Sequence, residues 1–323
     1  MVDISWPAGH DLEMEEVVAE LYRLDPTGDR VATVLRDTFD QLYDGQHTGR
    51  WNFNDLYKTE KTHMGTLVEI NLHREFNFDD GDKTDYRIAG VQVDCKYSMK
   101  SYGWMLPPEV IGEIALLVTA NDEASTWRAG LLRVIPQTTR GTQNRDAKTS
   151  LSLLGREQIR WLWADHPGLA PNLFHELDSA TRDAIFNAKA RRGSQHGQAR
   201  VNELFRQVHA RIVRRAELAT VAQQDDFMKR ARGNGGARTT LRPEGILVLG
   251  HQDNDPRVAA TLGLPVPKKG ELVAARVVRA QLGRSDPVAE IDGEEWAIAR
   301  IDDEVSSAPV IERKRLKNST AIV

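Results

Sequence analysis

The stretch Val91-Gln92-Val93-Asp94-Cys95-Lys96-Tyr97 decides how the first half of this chain is interpreted. It predicts a short strand, and a strand sends alternate side chains to opposite faces. Asp94 and Lys96 therefore point one way, while Val93 and Cys95 point the other way. An acid and a base on an otherwise apolar strand are costly to bury without a function. The pattern predicts a functional site on the face that carries Asp94.

A further carboxylate, that of Asp85, lies a short turn upstream of this strand. The order Asp, spacer, Asp-x-Lys is the one in which many metal-dependent nucleases hold a cation and a water beside a phosphate. Phosphodiester hydrolysis needs extra negative charge to be neutralised and hydroxide to be supplied near neutral pH, and Mg²⁺ does both. Mg²⁺ prefers oxygen ligands and keeps several waters, so two or three carboxylates suffice. We therefore expect a Mg²⁺ site held by Asp85 and Asp94, with the backbone carbonyl of Cys95 as a further ligand.

Lys96 and Glu69 complete the candidate site. Lys96 is expected beside the attacking water and the scissile phosphate, where it orients the water and offsets charge. A lowered pKa would also let Lys96 assist deprotonation. Glu69 is the candidate third metal-binding carboxylate, on a helix predicted to start at Thr62 or Thr66. The alternatives are an amphipathic surface helix for Glu69 and a weak strand-edge ion pair for Asp94 and Lys96.

Composition limits the class of protein. The length of 323 residues suggests about two domains, and 40% hydrophobic with 28% charged residues is typical of a folded globular chain. No apolar run approaches the ~20 residues of a membrane span, and the N-terminus lacks the basic start and apolar core of a signal peptide. The single cysteine, Cys95, excludes an intramolecular disulfide and a cysteine-rich zinc site, so we expect a cytoplasmic protein. We interpret Cys95 as a packed core residue, not a nucleophile.

Hydrophobic periodicity predicts an α/β first domain over residues 1–163. Helices are expected within 11–43, with a break at Asp25-Pro26-Thr27-Gly28, and again over 151–163. Strands are expected near 84–89, 91–98, 113–120 and 127–135, and the apolar run at 114–118 is typical of a strand covered on both faces. A linker with two prolines and a glycine follows at 164–172.

The second predicted domain, residues 173–323, carries most of the positive charge. Residues 187–242 contain thirteen cationic and four anionic side chains, a local net charge of +9 in a chain whose net charge is −4. Such asymmetry indicates contact with a polyanion, although a solvated helical face would also account for it. Helices are expected up to Ala188, over 198–215 and over 221–232. A glycine turn at 233–236 and strands at 245–250, 272–279 and 288–299 follow, in a winged-helix-like order.

Two groups of side chains in this domain predict binding to duplex DNA. The first group would read base edges, as polar residues do when a helix N-terminus enters a major groove; its members are Gln198, Arg200 and Asn202. The second group flanks the glycine turn and suits phosphate contacts; its members are Lys229, Arg230, Arg232 and Arg238. An ordinary surface helix with i,i+4 pairs is the alternative for both groups.

Long segments of the chain resemble the type IIE restriction endonucleases of the NaeI family. The resemblance spans roughly residues 12–300 and weakens at both ends. The segments that carry it are 41–46 (QLYDGQ), 58–76 (KTEKTHMGTLVEINLHREF), 89–96 (AGVQVDCK), 195–205 (QHGQARVNELF) and 222–230 (AQQDDFMKR). Thr84, where the wider nuclease pattern has proline, is a departure at a position that is not a ligand.

The resemblance implies a detailed function. The catalytic residues of the family fall on Glu69, Asp85, Asp94 and Lys96. The fold would be a restriction-endonuclease-like α/β core followed by a DNA-binding domain with a winged helix or helix-turn-helix. The protein would be a Mg²⁺-dependent homodimer that cuts double-stranded DNA in the middle of 5′-GCCGGC-3′, leaves blunt ends and is activated by a second copy of the site. A cognate DNA methyltransferase would belong to the same restriction-modification system.

Two other functions fit the residues when the resemblance is set aside. A DNA-binding regulator without enzymatic activity accounts for the basic second half, but it does not need the acid and lysine of 91–97. A structure-specific resolvase or repair nuclease shares the expected chemistry and differs only in its substrate, which would be branched DNA.

Overall fold

The computed structural model describes residues 11–166, 168–191, 196–281 and 286–311. Pro167 of the predicted linker, Arg192 of the basic region and the last residues of the C-terminal tail lie outside this part of the chain. The described chain forms two compact units. The first comprises Met1–Tyr43 and Asn52–Asn172, and the second comprises Asp44–Trp51 and Leu173–Val323. The second unit thus includes a short segment that periodicity alone assigned to the first.

The helices and strands are numbered in chain order. The helices are α1 (Leu12–Leu24), α2 (Asp29–Tyr43), α3 (Gly45–Thr48), α4 (Lys58–Phe76), α5 (Leu153–Glu157), α6 (Leu173–Glu176), α7 (Ser179–Asn187), α8 (His196–Gln207), α9 (Arg215–Ala222), α10 (Phe227–Ala231), α11 (Ala237–Thr240) and α12 (Asp255–Thr261). The strands are β1 (Asp79–Asp80), β2 (Tyr86–Ile88), β3 (Val91–Tyr97), β4 (Ile114–Asn121), β5 (Thr126–Arg133), β6 (Thr139–Gln143), β7 (Thr149–Leu151), β8 (Arg160–His166), β9 (Ile212–Val213), β10 (Ile246–Leu249), β11 (Leu272–Arg279), β12 (Val288–Ile291) and β13 (Glu294–Ile298). The chain is therefore mixed α/β, as predicted.

A six-stranded sheet organises the first unit, in the order β1-β2-β3-β4-β5-β8. β3 and β4 are parallel, with Asp94 beside Ala115, and the other neighbouring strands are antiparallel. Val93 and Cys95 pack with α1, α2 and α4 in one core, whereas Ala115 packs with Trp104 in a separate core. The alternation predicted for β3 and the double coverage predicted for β4 are both confirmed.

The prediction of a helix over 151–163 is correct for the short helix α5 and wrong for the residues that follow it. Helix α5 ends at Glu157, and the chain continues as β8, which pairs with β5 at the end of the sheet. Trp163 packs in the core beneath the helices, while Trp161 packs against the other core. Large aromatic side chains fit the pleated surface of a strand, and burial on a sheet offers these two more apolar contact than a surface helix would.

The second unit contains a five-stranded sheet, in which four strands follow the order β10-β11-β13-β12 and β9 pairs with β11. Helices from α6 to α11 share a core with parts of β9, β10 and β11. The single helix predicted over 198–215 is wrong, because α8, β9 and the start of α9 replace it. Val213 pairs with Leu272, and the carboxylate of Glu217 accepts from the backbone N–H of Arg214, which begins a new helix.

The segment Asp44–Trp51 packs closely within this second unit. Asp44 has a left-handed backbone, with φ of 46°, and Gly45 then approaches α9 so closely that a Cβ would lie 2.0 Å from Oγ1 of Thr220. Glycine is required there because no larger residue fits. Across the described ranges, no helix has the length and apolar character needed to cross a membrane.

Candidate active site

Three oxygen-bearing groups converge on the ammonium group of Lys96. Its Nζ lies 2.5 Å from Oδ2 of Asp94 and 3.6 Å from Oδ2 of Asp85, and it donates to the backbone carbonyl of Cys95 at 3.0 Å. The side chain of Asp94 is 6% exposed, and those of Asp85 and Lys96 are 20% and 22% exposed. The structure thus gathers the two carboxylates and the carbonyl that were predicted to hold a metal ion.

The pairing of β2 with β3 positions Asp85. Tyr86 lies opposite Val93 in this antiparallel pair, which places Asp85 beside the second half of β3. The backbone N–H of Cys95 donates to Oδ2 of Asp85 at 2.7 Å. A hydrogen bond from the main chain of a central strand fixes the orientation of this carboxylate next to Asp94.

Gln92, which the sequence interpretation did not include, organises the loop before Asp85. Its Oε1 accepts from the backbone N–H of Asp82 at 3.0 Å and from the hydroxyl of Thr84 at 2.9 Å. Thr84 therefore makes a bond that proline could not make. The signal for Gln92 was present in the sequence, because it precedes Asp94 by two residues and belongs to the same face of β3.

Tyr86 is a second omitted residue, and it connects β2 with α4. Its hydroxyl donates to the backbone carbonyl of Glu69 at 2.7 Å, and its side chain is fully buried. Burial raises the pKa of Tyr86 above its ordinary value, so the hydroxyl remains a donor. The two elements that carry Glu69 and Asp85 are thereby held together. No local sequence pattern identifies this link, since it joins positions 17 residues apart.

Glu69 is half-buried on α4, and its carboxylate makes no hydrogen bond or ion pair with the described residues. Burial raises its pKa, and the nearby charge of Asp85 raises it further. The described ranges contain no group of three or more His, Cys, Asp or Glu side chains able to hold a metal ion. Glu69 makes none of the contacts that join Asp85, Asp94 and Lys96, but the charges of all three act on its pKa. Its assignment as a third metal-binding carboxylate therefore stays a prediction.

The electrostatics distinguish the roles of the central groups. Burial raises the pKa of Asp94 to about 6, although the charge of Lys96 opposes the shift. Burial lowers the pKa of Lys96, but the attraction of Asp94 and Asp85 outweighs burial and leaves it raised. This direction is opposite to the lowered pKa that would let Lys96 assist deprotonation. Burial also raises the pKa of the Cys95 thiol, which is packed in the core as predicted.

The donor set suits a hard divalent cation. It consists of oxygens alone, and the ammonium of Lys96 acts as a positively charged stand-in between them. Oδ2 of Asp94 is buried and receives no directed hydrogen bond, even though the Lys96 ammonium lies at ion-pair distance. An ammonium can approach this closely without donor alignment, so the ion pair and the lack of a directed hydrogen bond are compatible. Oδ2 of Asp94 therefore keeps the ability to bind a cation.

The base-reading group predicted in the second unit is engaged in internal bonds. Asn202 is 8% exposed and accepts from Nε2 of Gln198 at 2.8 Å; the same amide donates to the carbonyl of Arg230. Arg200 donates to the last carbonyls of α9, those of Val221 and Ala222, at 2.6 and 2.7 Å. In this structure these side chains stabilise the packing of α8 on its neighbours.

The predicted phosphate-binding group divides into two pairs. Arg230 is paired with Asp226 at 2.7 Å and Arg238 with Asp255 at 2.5 Å. Lys229 and Arg232 are exposed, and their side chains form no ion pair or hydrogen bond with the part of the chain that the structure describes. Other cations of the basic region are paired as well, namely Arg206 with Glu244, Arg211 with Glu176 and Arg214 with Glu217. Three of these partners, Glu244, Glu176 and Asp255, lie outside residues 187–242 and therefore offset part of the +9 charge.

Comparison with known proteins identifies the family. A family profile described as "Restriction endonuclease NaeI" matches residues 15–307. A protein of Lentzea aerocolonigenes named "Type II restriction enzyme NaeI" is 64% identical over 304 residues, which cover 94% of this chain and 96% of that protein. Both matches include the cluster around Lys96 and the second unit. The chain therefore belongs to the NaeI family of type II restriction endonucleases, enzymes that cut double-stranded DNA at specific sites.

Proposed function

We propose that this restriction endonuclease uses Mg²⁺ at the cluster of Asp85, Asp94 and Lys96 to cut DNA. The observation that carries the proposal is the convergence of two carboxylates and the Cys95 carbonyl on one positive charge. Type II restriction endonucleases in general require a divalent metal. An all-oxygen donor set favours Mg²⁺ over softer metals.

Each residue has a distinct role in this proposal. Asp94, Asp85 and the Cys95 carbonyl would hold the cation, which when bound polarises the phosphate and lowers the pKa of a bound water. Lys96 stays protonated and places its charge beside the developing negative charge of the phosphate. The backbone N–H of Cys95 orients Asp85. Glu69 remains a candidate catalytic residue, because the charges of Asp85 and Lys96 alter its pKa.

Cleavage of plasmid DNA tests this assignment. The wild-type protein with Mg²⁺ should cut the plasmid, and the Asp94→Asn variant should not. The matched control is Asp79→Asn, which alters an exposed carboxylate on β1. Equal cleavage by wild type and Asp94→Asn would refute the site. Sequencing the ends of the products tests the expectation of blunt cuts in the middle of 5′-GCCGGC-3′.

We further propose that the second unit binds a second DNA duplex through a winged helix. Its elements follow the order α8, β9, α9, α10, α11, β10, β11, with β11 between β9 and β10. In a helix-turn-helix the second helix enters the major groove. The turn at 223–226 precedes α10, which carries the exposed Lys229 and is followed directly by the exposed Arg232. These two residues therefore replace Gln198, Arg200 and Asn202 as the first candidates for contact with DNA.

Activation by a second site can be measured directly. A short duplex bearing the recognised sequence should accelerate cleavage of a plasmid with one site, since an effector shifts activity only through a binding site that is coupled to the first. The Lys229→Ala/Arg232→Ala variant should lose the acceleration and keep the basal rate. Arg257→Ala, in α12, is the matched control. A response equal to that of wild type would exclude these residues from the effector site.

We also propose that the protein works as a homodimer in the cytoplasm, beside a cognate DNA methyltransferase. A twofold-symmetric protein matches the symmetry of a palindromic site. A single, buried cysteine is compatible with a reducing compartment. Analytical ultracentrifugation with and without the duplex tests the dimer, and a sedimentation coefficient of a single chain under both conditions would refute it.

A further inference from the structure

A polar two-stranded arm extends from the first unit and has no place in the catalytic cluster. It consists of residues 139–151, with strands β6 and β7 joined by a turn. Every residue from 140 to 148 is exposed, and Gly141 has no neighbour within 4 Å of a Cβ. Residues 140–148 contribute almost no buried apolar surface, so stability of the fold does not explain this part of the arm.

The charge on the arm differs from that of the rest of its unit. Arg140, Arg145 and Lys148 outnumber the single acid, Asp146. None of these three cations has an ion pair in the described chain, whereas several other arginines of the unit are paired, such as Arg133 with Asp11 at 2.8 Å. Charged residues, lysine above all, also protect exposed strand edges from aggregation, which accounts for Lys148 more readily than for the two arginines. An excess of free cations specifically favours a polyanion.

The tip of the arm is ordered by its own hydrogen bonds. Oδ1 of Asn144 accepts from the backbone N–H groups of Asp146 and Lys148, both at 2.9 Å. The backbone N–H of Asn144 donates to the carbonyl of Lys148 at 2.9 Å, and that of Ala147 donates to Asn144 at 3.0 Å. The cations are therefore presented on a shaped turn, which reduces the conformational entropy lost on binding.

The base of the arm is tied to the loop that follows the catalytic strand. Thr149 and Leu106 exchange two backbone hydrogen bonds of 2.8 Å, and both Leu106 and Leu151 lie in the core on the Asp94 side of the sheet. Three residues after Leu106, the charge of Glu109 contributes to the raised pKa of Asp94. One loop thus connects the arm with the surroundings of the cleavage site.

We propose that the arm enters the major groove of the substrate duplex and that Arg140, Arg145 and Lys148 contact the phosphates that border it. The width of the major groove admits a two-stranded β-ribbon. This placement would hold the duplex in register with Asp94 and Lys96, because the arm and the loop after β3 are joined at their base. The proposal rests on the established cleavage of DNA and not on the identity of the metal.

Binding at several salt concentrations tests the arm. The probe is a short duplex that carries the site mapped from the ends of wild-type products, in EDTA so that no cleavage occurs. Each lost phosphate contact should lower the slope of log affinity against log salt by about 1, so the triple variant Arg140→Ala/Arg145→Ala/Lys148→Ala should lose about 3 for each copy of the chain bound to the duplex. Arg74→Ala, which removes an exposed cation on α4 that lacks an ion pair in the described chain, should leave the slope unchanged.

Kinetics and oligomeric state complete the test. In Mg²⁺, the triple variant should raise KM for the plasmid at least tenfold and keep kcat within about twofold, since the cations position DNA without touching the reacting atoms. An unchanged slope, or a loss no larger than that of Arg74→Ala, would overturn the proposal. A changed sedimentation coefficient of the DNA-free variant would also overturn it and assign the arm to contact between copies of the chain. The EDTA assay keeps this outcome separate from failure of the proposed metal site.

Discussion

Two buried carboxylates of the first unit, those of Asp94 and Asp122, are 4% and 1% exposed but differ in their bonding. Asp122 pairs with Arg36 and accepts from the hydroxyl of Tyr43 at 2.6 Å and from the amide of Asn172 at 2.9 Å. Asp94 faces the ammonium of Lys96, and its Oδ2 receives no directed hydrogen bond. Within the described ranges, the first carboxylate is bonded by three side chains, and the second is paired with the Lys96 ammonium alone.

The difference indicates what each carboxylate does. Tyr43 and Asn172 are the last residues of the two stretches that form the first unit, so Asp122 stabilises both points at which the chain leaves that unit. A buried charge with complete hydrogen bonding supports the fold, because the bonds compensate for lost hydration. A buried charge with incomplete bonding is destabilising and is retained where it has a function. Substitution of the two residues should therefore affect different properties.

The largest expected effect is on cleavage by Asp94→Asn. Loss of the charge that holds the cation should remove several kcal/mol of transition-state stabilisation and lower kcat/KM about 10³-fold or more. The free energy of unfolding at neutral pH should not fall, since the substitution removes an incompletely bonded charge. Plasmid cleavage rates and urea unfolding measure the two quantities. If the Asp94→Asn variant cut DNA within tenfold of the wild-type rate, Asp94 would not differ from Asp122 in its importance for cleavage.

The next effect is on stability in Asp122→Asn. The substitution leaves Arg36 with Asp40 as its remaining carboxylate partner and deprives Tyr43 and Asn172 of a charged acceptor, so the free energy of unfolding should fall by about 2 kcal/mol. The kcat of the folded variant should stay within a few-fold of wild type, because Asp122 does not belong to the Lys96 cluster. Urea unfolding and initial cleavage rates below the unfolding midpoint provide the comparison. A cleavage defect as large as that of Asp94→Asn would show that the two carboxylates are not functionally distinct.

A smaller effect is expected in the pH dependence of stability. Folding raises the pKa of Asp94 from 3.8 to about 6, so the folded state binds this proton more tightly than the unfolded state. Protonation of Asp94 therefore contributes to the free energy of unfolding below pH 4, and this contribution is lost as pH rises through about 6. In metal-free buffer, the difference in unfolding free energy between Asp94→Asn and wild type should therefore grow in favour of the variant from pH 4 to pH 7. A constant difference would mean that the pKa of Asp94 is not shifted.

The smallest effect is expected for Tyr86→Phe. Loss of the hydrogen bond to the Glu69 carbonyl should cost about 1 kcal/mol of stability. If this bond positions α4 relative to Asp85, kcat should also fall several-fold while KM for DNA stays the same. The control is Tyr102→Phe, since the hydroxyl of Tyr102 makes no hydrogen bond within the described ranges. A rise in KM at constant kcat would assign Tyr86 to DNA binding and not to the carboxylate cluster.

Local patterns predicted those features that depend on neighbouring residues. The faces of β3 and the double burial of β4 follow from alternation, and the strand predicted at 272–279 matches β11. The elements predicted over 151–163 and 198–215 were wrong, because in both cases a strand forms only when a partner distant in sequence is present. β8 requires β5, and β9 requires β11. Periodicity within one segment carries no information about such partners.

The amino-acid sequence by itself determined that Asp94 and Lys96 share a face, that the available ligands are oxygens, and that the chain belongs to its family. These properties follow from residue order and strand geometry. Tertiary structure alone decided that the charges of Asp94 and Asp85 raise the pKa of Lys96, that burial raises the pKa of Asp94, and that several cations of the basic region are paired, among them Arg206 and Arg211. The reason is physical, since burial and ion pairing depend on groups brought together from distant parts of the chain.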